Sequence, residues 1–418
     1  MASRSDLAVV GGAGHVGLPL SILFAQKGKR VLIHDINTAA LDTISHGRLP
    51  FLERDAEPLL KAALAAGRVQ VSDDPASLAG IPILIVTIGT PIDEFLNPAT
   101  KSFVQCFERL LPHLSAGQLV VLRSTIYPGE TDWLDQYLRQ RGKRLLVAYC
   151  PERIVQGHAI EELQSLPQIV SGTTPPAAAR AAQLFRLFTT DIVRLEPMEA
   201  EFAKLFCNAY RYIQFAATNQ FYMMAHSAGL DYYRVLAGMK TKYARMRDLP
   251  GAGLSAGPCL LKDTMQLSAF YNNTFSLGTT AMLINEGLPL YVVDHLAQQY
   301  DLSQLTVGLL GMAFKAESDD PRSSLSYKLK KVLRFRAKRV LTTDPYVQDP
   351  ELRPLEEVIA QSDLLILCIP HQVYRNIELQ GKPVVDIWNF FDRGGRIVAG
   401  QSARQAQRAR RRPASIRA

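Results

Sequence analysis

The first half of the chain alternates short apolar runs with stretches of helical hydrophobic spacing. The apolar runs are predicted strands, at residues 7–10, 31–35, 83–88, 119–122, 145–149, 169–170 and 192–194. Strands that alternate with amphipathic helices are typical of a parallel sheet covered by helices on both faces. The pattern therefore predicts a doubly wound α/β unit in this half of the chain.

From about residue 198 to residue 295 the pattern changes to long helices. Residues 199–230 keep apolar positions at helical spacing without a proline, which predicts one long helix. A second α/β pattern follows, with predicted strands at 307–310, 340–343, 364–369 and 384–387 and a helix at 323–337. We see no internal sequence repeat, but two α/β units that flank a helical segment suggest approximate structural pseudo-symmetry.

The predicted fold class is α/β, with two Rossmann-like parallel-sheet domains joined by a long-helix domain. The expected boundaries are 1–197 for the first domain, 198–295 for the helical domain and 296–400 for the second α/β domain. Residues 401–418 form a basic tail that is expected to be disordered. A chain of 418 residues is too long for one hydrophobic core, which agrees with this division.

Composition and charge narrow the class of protein. The formal net charge is +8, but six arginines lie among the last sixteen residues, and 8 − 6 leaves an ordinary +2. We therefore expect no nucleic-acid binding. The five cysteines are scattered and lack metal-ligand spacing, so we expect reduced thiols in the cytoplasm and no metal. No apolar stretch is long enough to span a membrane, and the first strand begins too early to leave room for a signal peptide.

A glycine-rich turn between the first strand and the first helix predicts a dinucleotide site. Its glycines are Gly12, Gly14 and Gly17, with His15 and Val16 between them. Glycines at this spacing permit a tight turn and the close approach of a pyrophosphate to a helix N-terminus. Asp35 ends the next strand, where a carboxylate accepts hydrogen bonds from a ribose and repels a 2′-phosphate. NAD is therefore expected rather than NADP.

A second glycine-rich loop, residues 250–258, leads to Cys259, and Lys262 and Asp263 follow within one helical turn. A lone cysteine is most often a small buried hydrophobic residue. A thiol that stands beside a cation and a carboxylate can instead be held as a nucleophile. The choice between these interpretations depends on the other motifs of the chain.

Those motifs follow one another in the order of a known family. They are STIYPGET at 124–131, CPER at 150–153, EFAKLFCN at 201–208, the cysteine loop, GMAFK at 311–315 and DDPR at 319–322. Over residues 7–391 the chain resembles the UDP-glucose/GDP-mannose dehydrogenase family, the nucleotide-sugar 6-dehydrogenases. The resemblance implies an NAD-dependent enzyme whose helical segment forms a homodimer or a higher homo-oligomer, and whose second α/β domain binds the UDP-sugar.

The resemblance also implies a role for each catalytic candidate. Lys204 and Asn208, which are four apart on one helix, would stabilise an oxyanion. Asp263 and Thr125 would position a water molecule, and Glu152 would be the general base. Cys259 would add to the aldehyde and hold it as a thiohemiacetal and then a thioester. The implied reaction is a four-electron oxidation of the sugar at C6 to the uronate.

Further residues would contact the ligands. The cofactor candidates are completed by Thr90, Thr125 and Arg322. The substrate candidates are Glu152, Arg153, Lys204, Asn208, Gly257, Phe314 and Lys315, with Arg245 or Arg247 acting across a dimer interface. We cannot choose between these two arginines from their spacing.

Three departures from the family pattern bear on the sugar. Ala256 replaces a glycine, Pro258 removes an N–H, and Trp388 stands where relatives commonly have an arginine that helps to hold the substrate. Trp388 either stacks on a sugar or covers the core. PER at 151–153 resembles the UDP-N-acetylhexosamine branch, whereas Cys259 with Lys262 and Asp263 resembles the UDP-glucose branch. GDP-mannose is a third candidate.

Two other functions are compatible with parts of the pattern. A two-electron hydroxyacid dehydrogenase shares the first domain and a helical domain, but needs neither Cys259 nor a second α/β unit. A nucleotide-sugar-binding regulator without catalysis would explain the altered cysteine loop. It gives no reason to keep the six catalytic candidates together.

Overall fold

The computed structural model describes residues 5–254, 257–395 and Ile397. These residues form two compact units. The first unit holds the described residues of Met1–Ala209 with Lys262–Phe275, and the second holds those of Tyr210–Leu261 with Ser276–Ala418. Ala256, one of the departures from the family pattern, and the tail at 401–418 lie outside the described residues. The domain boundaries expected from the sequence stay a prediction.

The first unit is built on a sheet of eight strands. In chain order the strands are β1 (Leu7–Val10), β2 (Val31–His34), β3 (Val69–Ser72), β4 (Ile83–Val86), β5 (Leu119–Leu122), β6 (Leu146–Tyr149), β7 (Gln168–Gly172) and β8 (Ile192–Arg194). Their spatial order is β3-β2-β1-β4-β5-β6-β7-β8. Every neighbouring pair is parallel except β6 and β7, which run antiparallel, so the sheet departs from the predicted parallel arrangement at this one junction.

Both faces of this sheet are buried, as continuous apolar strands require. In β1, Leu7 and Val9 contribute to one core, while Ala8 and Val10 contribute to the other. Helices cover the two faces: α1 (Gly17–Gln26), α2 (Thr38–Ser45), α3 (Ala56–Ala65), α4 (Thr100–Leu110), α5 (Glu130–Gln140), α6 (Ala159–Ser165) and α7 (Pro175–Phe185).

Two helices contribute residues to both units: α8 (Pro197–Ser227) and α10 (Leu260–Phe270). The predicted long helix corresponds to α8. The helix begins two residues before the predicted start, because Pro197 suits the first helical position. It ends before Gly229, whose φ of 72° terminates the helix. The second unit also contains α9 (Tyr232–Lys240), α11 (Ser276–Ala297), α12 (Leu325–Leu333) and α13 (Leu355–Gln361).

The second unit contains a four-stranded parallel sheet. Its strands are β9 (Thr306–Leu310), β10 (Arg339–Thr343), β11 (Leu364–Leu367) and β12 (Val384–Val385), in the spatial order β10-β9-β11-β12. Apolar residues again pack on both faces. The predicted class of two Rossmann-like parallel-sheet domains with long helices is thus confirmed.

The largest error of the sequence interpretation is the omission of β3. This edge strand is short, and only Val69 is buried in it. Its other three residues are partly or fully exposed, so the segment gives no run of hydrophobic positions. Short 3-10 helices, which we did not predict, occur at Pro75–Leu78, Leu111–His113, Ala244–Met246, Leu302–Gln304 and Gln372–Tyr374. Among the described residues, none of the helices combines the length and apolar character needed to cross a bilayer.

Candidate active site

The three glycines of the turn after β1 differ in the space around their α-carbons. A Cβ on Gly12 would lie 2.6 Å from the Val9 carbonyl oxygen, and one on Gly17 would lie 2.6 Å from the Gly12 Cα. At Gly14 the nearest atom to such a Cβ is 3.5 Å away. Gly12 and Gly17 therefore make the turn and the helix contact, while Gly14 leaves an open surface at the helix N-terminus.

Asp35 directly follows β2 and faces this turn. Its Oδ2 accepts a hydrogen bond from the Ala13 N–H at 3.0 Å, and its Oδ1 accepts one from the Asn37 N–H at 3.0 Å. His15 packs against Phe51, with the ring centroids 4.0 Å apart. The structure thus brings the predicted glycine turn and Asp35 together at the carboxyl edge of the sheet, where ligands bind in such folds.

Thr90 and Thr125 lie at the same edge, after β4 and β5. The Thr90 hydroxyl donates to the Thr125 carbonyl oxygen. Thr90 Oγ1 is also 3.4 Å from Lys262 Nζ, and the Gln266 side chain approaches the Thr90 carbonyl oxygen at 3.5 Å. These contacts connect the strand ends to the first turns of α10.

A buried carboxylate is the centre of the catalytic candidates in the first unit. Asp263 is fully buried, and its Oδ2 accepts hydrogen bonds from Asn208 Nδ2 at 2.5 Å and from Thr125 Oγ1 at 3.4 Å. Lys262 Nζ lies 2.6 Å from Asp263 Oδ1. The cluster joins three motifs that are far apart in the sequence.

Lys204 lies one helical turn before Asn208 on α8 and is only 9% exposed. In the part of the chain that the structure describes, no carboxylate forms an ion pair with it. A buried ammonium without a protein counter-charge is costly. Lys204 is therefore suited to an anionic or polarised group supplied by a ligand.

Glu152 occupies a different environment. Its carboxylate forms a buried ion pair with Arg123 and accepts N–H hydrogen bonds from Arg153 at 2.7 Å and Ile154 at 3.1 Å. Arg123, whose side chain is 1% exposed, also donates to the Cys150 carbonyl oxygen and to Gln168 Oε1, both at 3.0 Å. Among the described residues, no hydrogen bond joins Glu152 to the Asp263 cluster.

The sequence interpretation assigned no role to three further residues near this site. Arg123 stands immediately before the STIYPGET segment, and its position at the end of β5 was the available signal. Glu201, the first residue of EFAKLFCN, is fully buried and accepts N–H hydrogen bonds from Gly129 at 2.6 Å and Thr131 at 3.0 Å. Burial raises the pKa of the neighbouring Glu130 to about 7, and the charge of Glu201 adds to this effect.

In the second unit, Cys259 is exposed and immediately precedes α10. Gly257 has a φ of 114°, and a Cβ there would lie 2.6 Å from the Phe314 ring. The loop before Cys259 therefore packs its backbone against a predicted substrate residue. Arg322 forms an ion pair with Asp320 at 2.6 Å. This hydrogen bond raises the pKa of Arg322, and an electrostatic interaction with Cys259 contributes to the shift.

The remaining predicted ligand contacts are less constrained. Arg245 lies in a 3-10 helix and Arg247 directly after it, and both are exposed. The Arg245 side chain contacts Tyr243, with Nη1 at 3.4 Å from the hydroxyl and the guanidinium 5.9 Å from the ring centroid. Lys315 follows Phe314 in the loop after β9. The Phe314 N–H donates to the Asp320 carbonyl oxygen at 2.9 Å, which closes that loop.

An aspartate also follows the second strand of the second sheet, and this one additionally contacts a histidine, His371. Asp344 follows β10 as Asp35 follows β2, and its Oδ2 accepts the Met312 and Ala313 N–H groups at 2.5 and 3.0 Å. Burial would raise its pKa, but the hydrogen bond and charge of His371 outweigh burial and hold the pKa at about 2. Asp344 is therefore occupied by protein groups.

Comparison with known proteins identifies the family. The domains described for the UDP-glucose/GDP-mannose dehydrogenase family match this chain in order: the NAD binding domain at residues 6–189, the central domain at 198–287 and the UDP binding domain at 308–393. The chain belongs to this family.

Individual members of the family align over most of their length. The UDP-N-acetyl-D-mannosamine dehydrogenase of Pyrococcus horikoshii is 29% identical over 88% of this chain and 90% of its own. The NDP-N-acetyl-D-galactosaminuronic acid dehydrogenase of Ralstonia nicotianae is 28% identical over 90% and 94%. The structure of a UDP-glucose dehydrogenase from Pyrobaculum islandicum superposes with a TM-score of 0.85 at 25% identity, covering 92% and 94%.

As a member of the UDP-glucose/GDP-mannose dehydrogenase family, the protein is an NAD-dependent nucleotide-sugar dehydrogenase. The residues of the first unit fit NAD. The open surface at Gly14 admits the pyrophosphate to the N-terminus of α1, and Asp35 stands where an adenosine ribose would be bound. The predicted cofactor and the predicted class of enzyme are confirmed.

Proposed function

We propose that this dehydrogenase oxidises the C6 hydroxyl of a UDP-N-acetylhexosamine to a carboxylate in a four-electron reaction that uses Cys259. The observation that supports it best is the fully buried Asp263, which is bound by both Asn208 and Thr125. A buried acid among a lysine, an amide and a hydroxyl matches the needs of alcohol oxidation, in which a proton leaves and an oxyanion develops.

The first oxidation begins at the C6 hydroxyl. A water held by Asp263 and Thr125 takes the hydroxyl proton, while Lys204 and Asn208 stabilise the developing alkoxide. Bound NAD supplies the hydride acceptor, one molecule for each of the two two-electron oxidations. The product of the first oxidation is an aldehyde at C6.

Cys259 keeps the aldehyde on the enzyme. Its thiolate forms a C–S bond with the aldehyde carbon, and the carbonyl oxygen becomes the hydroxyl of a thiohemiacetal. Oxidation of this adduct at C6 gives a thioester. Arg322, whose positive charge interacts with Cys259, favours the thiolate form of the sulfur.

The last step is hydrolysis of the thioester. Glu152 removes a proton from water, whose oxygen adds to the carbonyl carbon; the C–S bond then breaks and releases the thiolate and the uronate. A carboxylate offers about four acceptor positions. Arg123 and the N–H groups of Arg153 and Ile154 use three of them, which leaves one for a water molecule.

The choice of sugar is proposed from the relatives and from one local motif. Two relatives are named for N-acetylated hexosamine or hexosaminuronic acid nucleotides, and PER at 151–153 resembles that branch. UDP-glucose is the second candidate. The combination of Cys259 with Lys262 and Asp263 favours it, because this combination resembles the UDP-glucose branch.

We also propose that the protein is a homodimer formed through its helical segment. Several large apolar side chains on the second-unit part of this segment are exposed: Phe221 and Met224 on α8, and Leu283 and Leu290 on α11. Rows of exposed apolar residues at helical spacing are typical of a helix face that meets a partner. Arg245 or Arg247 would reach the partner's substrate, as the resemblance implies.

The test is a substrate panel. Purified protein is mixed with NAD and, in turn, UDP-N-acetylmannosamine, UDP-N-acetylglucosamine, UDP-glucose, UDP-galactose and GDP-mannose, and NADH is counted for each sugar consumed. Two NADH per UDP-N-acetylhexosamine is the expected result. Two NADH with UDP-glucose alone would support the second candidate.

Other outcomes would contradict the proposal. One NADH per sugar would mean that the Cys259-dependent second oxidation does not occur. NAD binding without NADH from any sugar of the panel would instead favour a nucleotide-sugar-binding regulator.

A further inference from the structure

Trp388 lies in a turn that is tightly held. Asp386, directly after β12 in this segment, is 2% exposed, and its two carboxylate oxygens accept the Phe390 and Phe391 N–H groups at 3.0 and 2.8 Å. The indole N–H of Trp388 donates to the Cys368 carbonyl oxygen at 2.8 Å. The turn and this hydrogen bond together fix the position of the indole ring.

The ring of Trp388 rests directly on Gly253 in the loop that leads to Cys259. A Cβ built on Gly253 would lie 2.3, 2.4 and 2.5 Å from three carbon atoms of the ring. Carbon atoms that are not bonded to each other normally stay about 3.5–4.0 Å apart. Because of this ring, glycine is the only residue that fits at position 253 without movement.

The same part of the loop is fixed by buried polar side chains. The Gly253 N–H donates to Asn219 Oδ1 at 3.0 Å, and Asn219 is in turn oriented by Asn285 Oδ1 at 3.0 Å. The Tyr233 hydroxyl is 3.1 Å from the Ala252 carbonyl oxygen and 2.7 Å from that of Ile387. It thus joins the loop to the residue that precedes Trp388.

We propose that Trp388 is a positioning residue for the cysteine loop, and that its contact with Gly253 sets the place of Cys259. The indole N–H of Trp388 donates to the Cys368 carbonyl oxygen, and part of the ring packs on Gly253. These contacts within the protein disfavour a role of Trp388 in stacking on the sugar. The catalytic meaning of this contact rests on the proposed function. The contact itself can be tested without catalysis.

The decisive experiment is a pair of compensating substitutions. Gly253→Ala places a methyl group against the ring, so we expect uronate turnover to fall by about 100-fold, the order of loss that follows a displacement of about 1 Å at a reacting group. In the Gly253→Ala background, Trp388→Leu makes room for the methyl group. We expect it to recover about 10-fold of the lost turnover.

The products give a second readout, which a general loss of stability would not change. Because Cys259 acts after the first oxidation, a misplaced loop lets the aldehyde escape. For Gly253→Ala we expect NADH formed per uronate to exceed two, with a KM for the sugar within about 3-fold of that of the unchanged protein. The double variant should return toward two NADH per uronate.

The third readout does not require a turning-over enzyme. The rate at which iodoacetamide alkylates Cys259 is followed by peptide mass spectrometry. We expect it to change by about 5-fold or more in Gly253→Ala and to return in the double variant, because thiol reactivity follows the local environment. If Gly253→Ala fails to fold, Trp388→Ala, which creates space instead of a clash, replaces it in this measurement.

Two controls match these variants. Gly238→Ala adds a methyl group in α9 that points into open space, and Trp133→Ala removes the other tryptophan of the chain. Neither should change the alkylation of Cys259. Unchanged alkylation in Gly253→Ala, or a change that Trp388→Leu does not relieve, would overturn the proposal. A higher sugar KM for Trp388→Leu alone, with kcat unchanged, would assign Trp388 to the sugar instead.

A failure of the proposed function would look different. If the unchanged protein forms no uronate while the alkylation rates follow the compensating pattern, the positioning role stands and the proposed reaction falls.

Discussion

At the scale of residues, the groups nearest to the proposed chemistry are fixed by partners that are distant in sequence. Asp263 receives its hydrogen bonds from Asn208, 55 positions away, and from Thr125, 138 positions away. Glu152 is paired with Arg123, 29 positions away. In a buried site such pairs fix both geometry and charge, because a buried carboxylate without partners would be strongly destabilising.

Replacement of the proposed nucleophile should separate the two oxidations. A serine hydroxyl stays protonated near neutral pH and is a poor nucleophile without a base. We expect Cys259→Ser to lower uronate formation by on the order of 1000-fold or more, while NAD binding is kept. Product analysis by mass spectrometry checks this, with Cys207→Ser, another exposed cysteine, as the control. Full uronate formation by Cys259→Ser would contradict the covalent mechanism.

Glu130 should make stability depend on pH. Burial raises its pKa to about 7 from an ordinary value of 4.5. Below the unfolded pKa the group is protonated in both states and costs nothing. Between the two values the unfolded chain loses the proton first, so folding is increasingly penalised, and above about pH 7 the penalty is constant.

Glu130→Gln should therefore raise the free energy of unfolding by roughly 2–3 kcal/mol at pH 8. Little or no difference should remain at pH 4. Denaturant unfolding at both pH values measures this, with the exposed Glu108→Gln as the matched control. A stabilisation of equal size at both pH values would show that Glu130 is not the titrating group.

At the scale of elements, one side chain of α8 holds the start of α5. Glu201 accepts the N–H groups of Gly129 and Thr131, which the helix itself leaves unpaired. The STIYPGET segment, which contains Thr125, ends in this turn. The glutamate of the EFAKLFCN motif therefore orders the neighbouring motif, whereas the lysine and asparagine of the same helix are proposed to act on the substrate.

Removal of this carboxylate should loosen the turn and the site together. Glu201→Ala leaves buried N–H groups without an acceptor, so we expect the free energy of unfolding to fall by about 2–3 kcal/mol and kcat to fall as well. Glu199→Ala is the control, since Glu199 is exposed and accepts a hydrogen bond from the Glu196 N–H at the start of its own helix. It should cost less than about 1 kcal/mol. Equal losses in the two variants would contradict this role of Glu201.

At the scale of the whole molecule, the proposed dimer can be tested through its exposed apolar side chains. Met224 is 62% exposed on α8 and Leu283 is 64% exposed on α11. A charge at either position would be desolvated in a dimer, so Met224→Glu and Leu283→Glu should shift the protein toward monomer. Sedimentation velocity over a range of concentrations measures the shift.

The matched control for the dimer is Phe335→Glu. Phe335 is 86% exposed but lies after α12, outside the helical segment. The control should leave the association unchanged. Association that is insensitive to Met224→Glu and Leu283→Glu, or a wild-type protein that stays monomeric, would contradict dimerisation through the helices.

The sequence by itself determined the two sheets, the long helix, the glycine turn and Asp35. Each of these features is read from residues that are close together in the chain. The signals are the hydrophobic periodicity, the length of an apolar run, or a glycine beside the end of a strand. The weakly apolar edge strand β3 was missed because such a strand has little periodic signal. The family motifs supplied Cys259, Lys204 and Asn208, although spacing alone did not decide between core and chemistry.

Only the tertiary structure decided which side chains meet. Three contacts join residues whose local sequences do not predict that they meet. They are the ion pair of Arg123 with Glu152, the capping of α5 by Glu201 and the packing of Trp388 on Gly253. Sequence patterns predict local conformation, since they report hydrophobic periodicity and backbone freedom. Contacts between distant positions depend on the path of the chain and on packing, where a single methyl group at position 253 would already be too large.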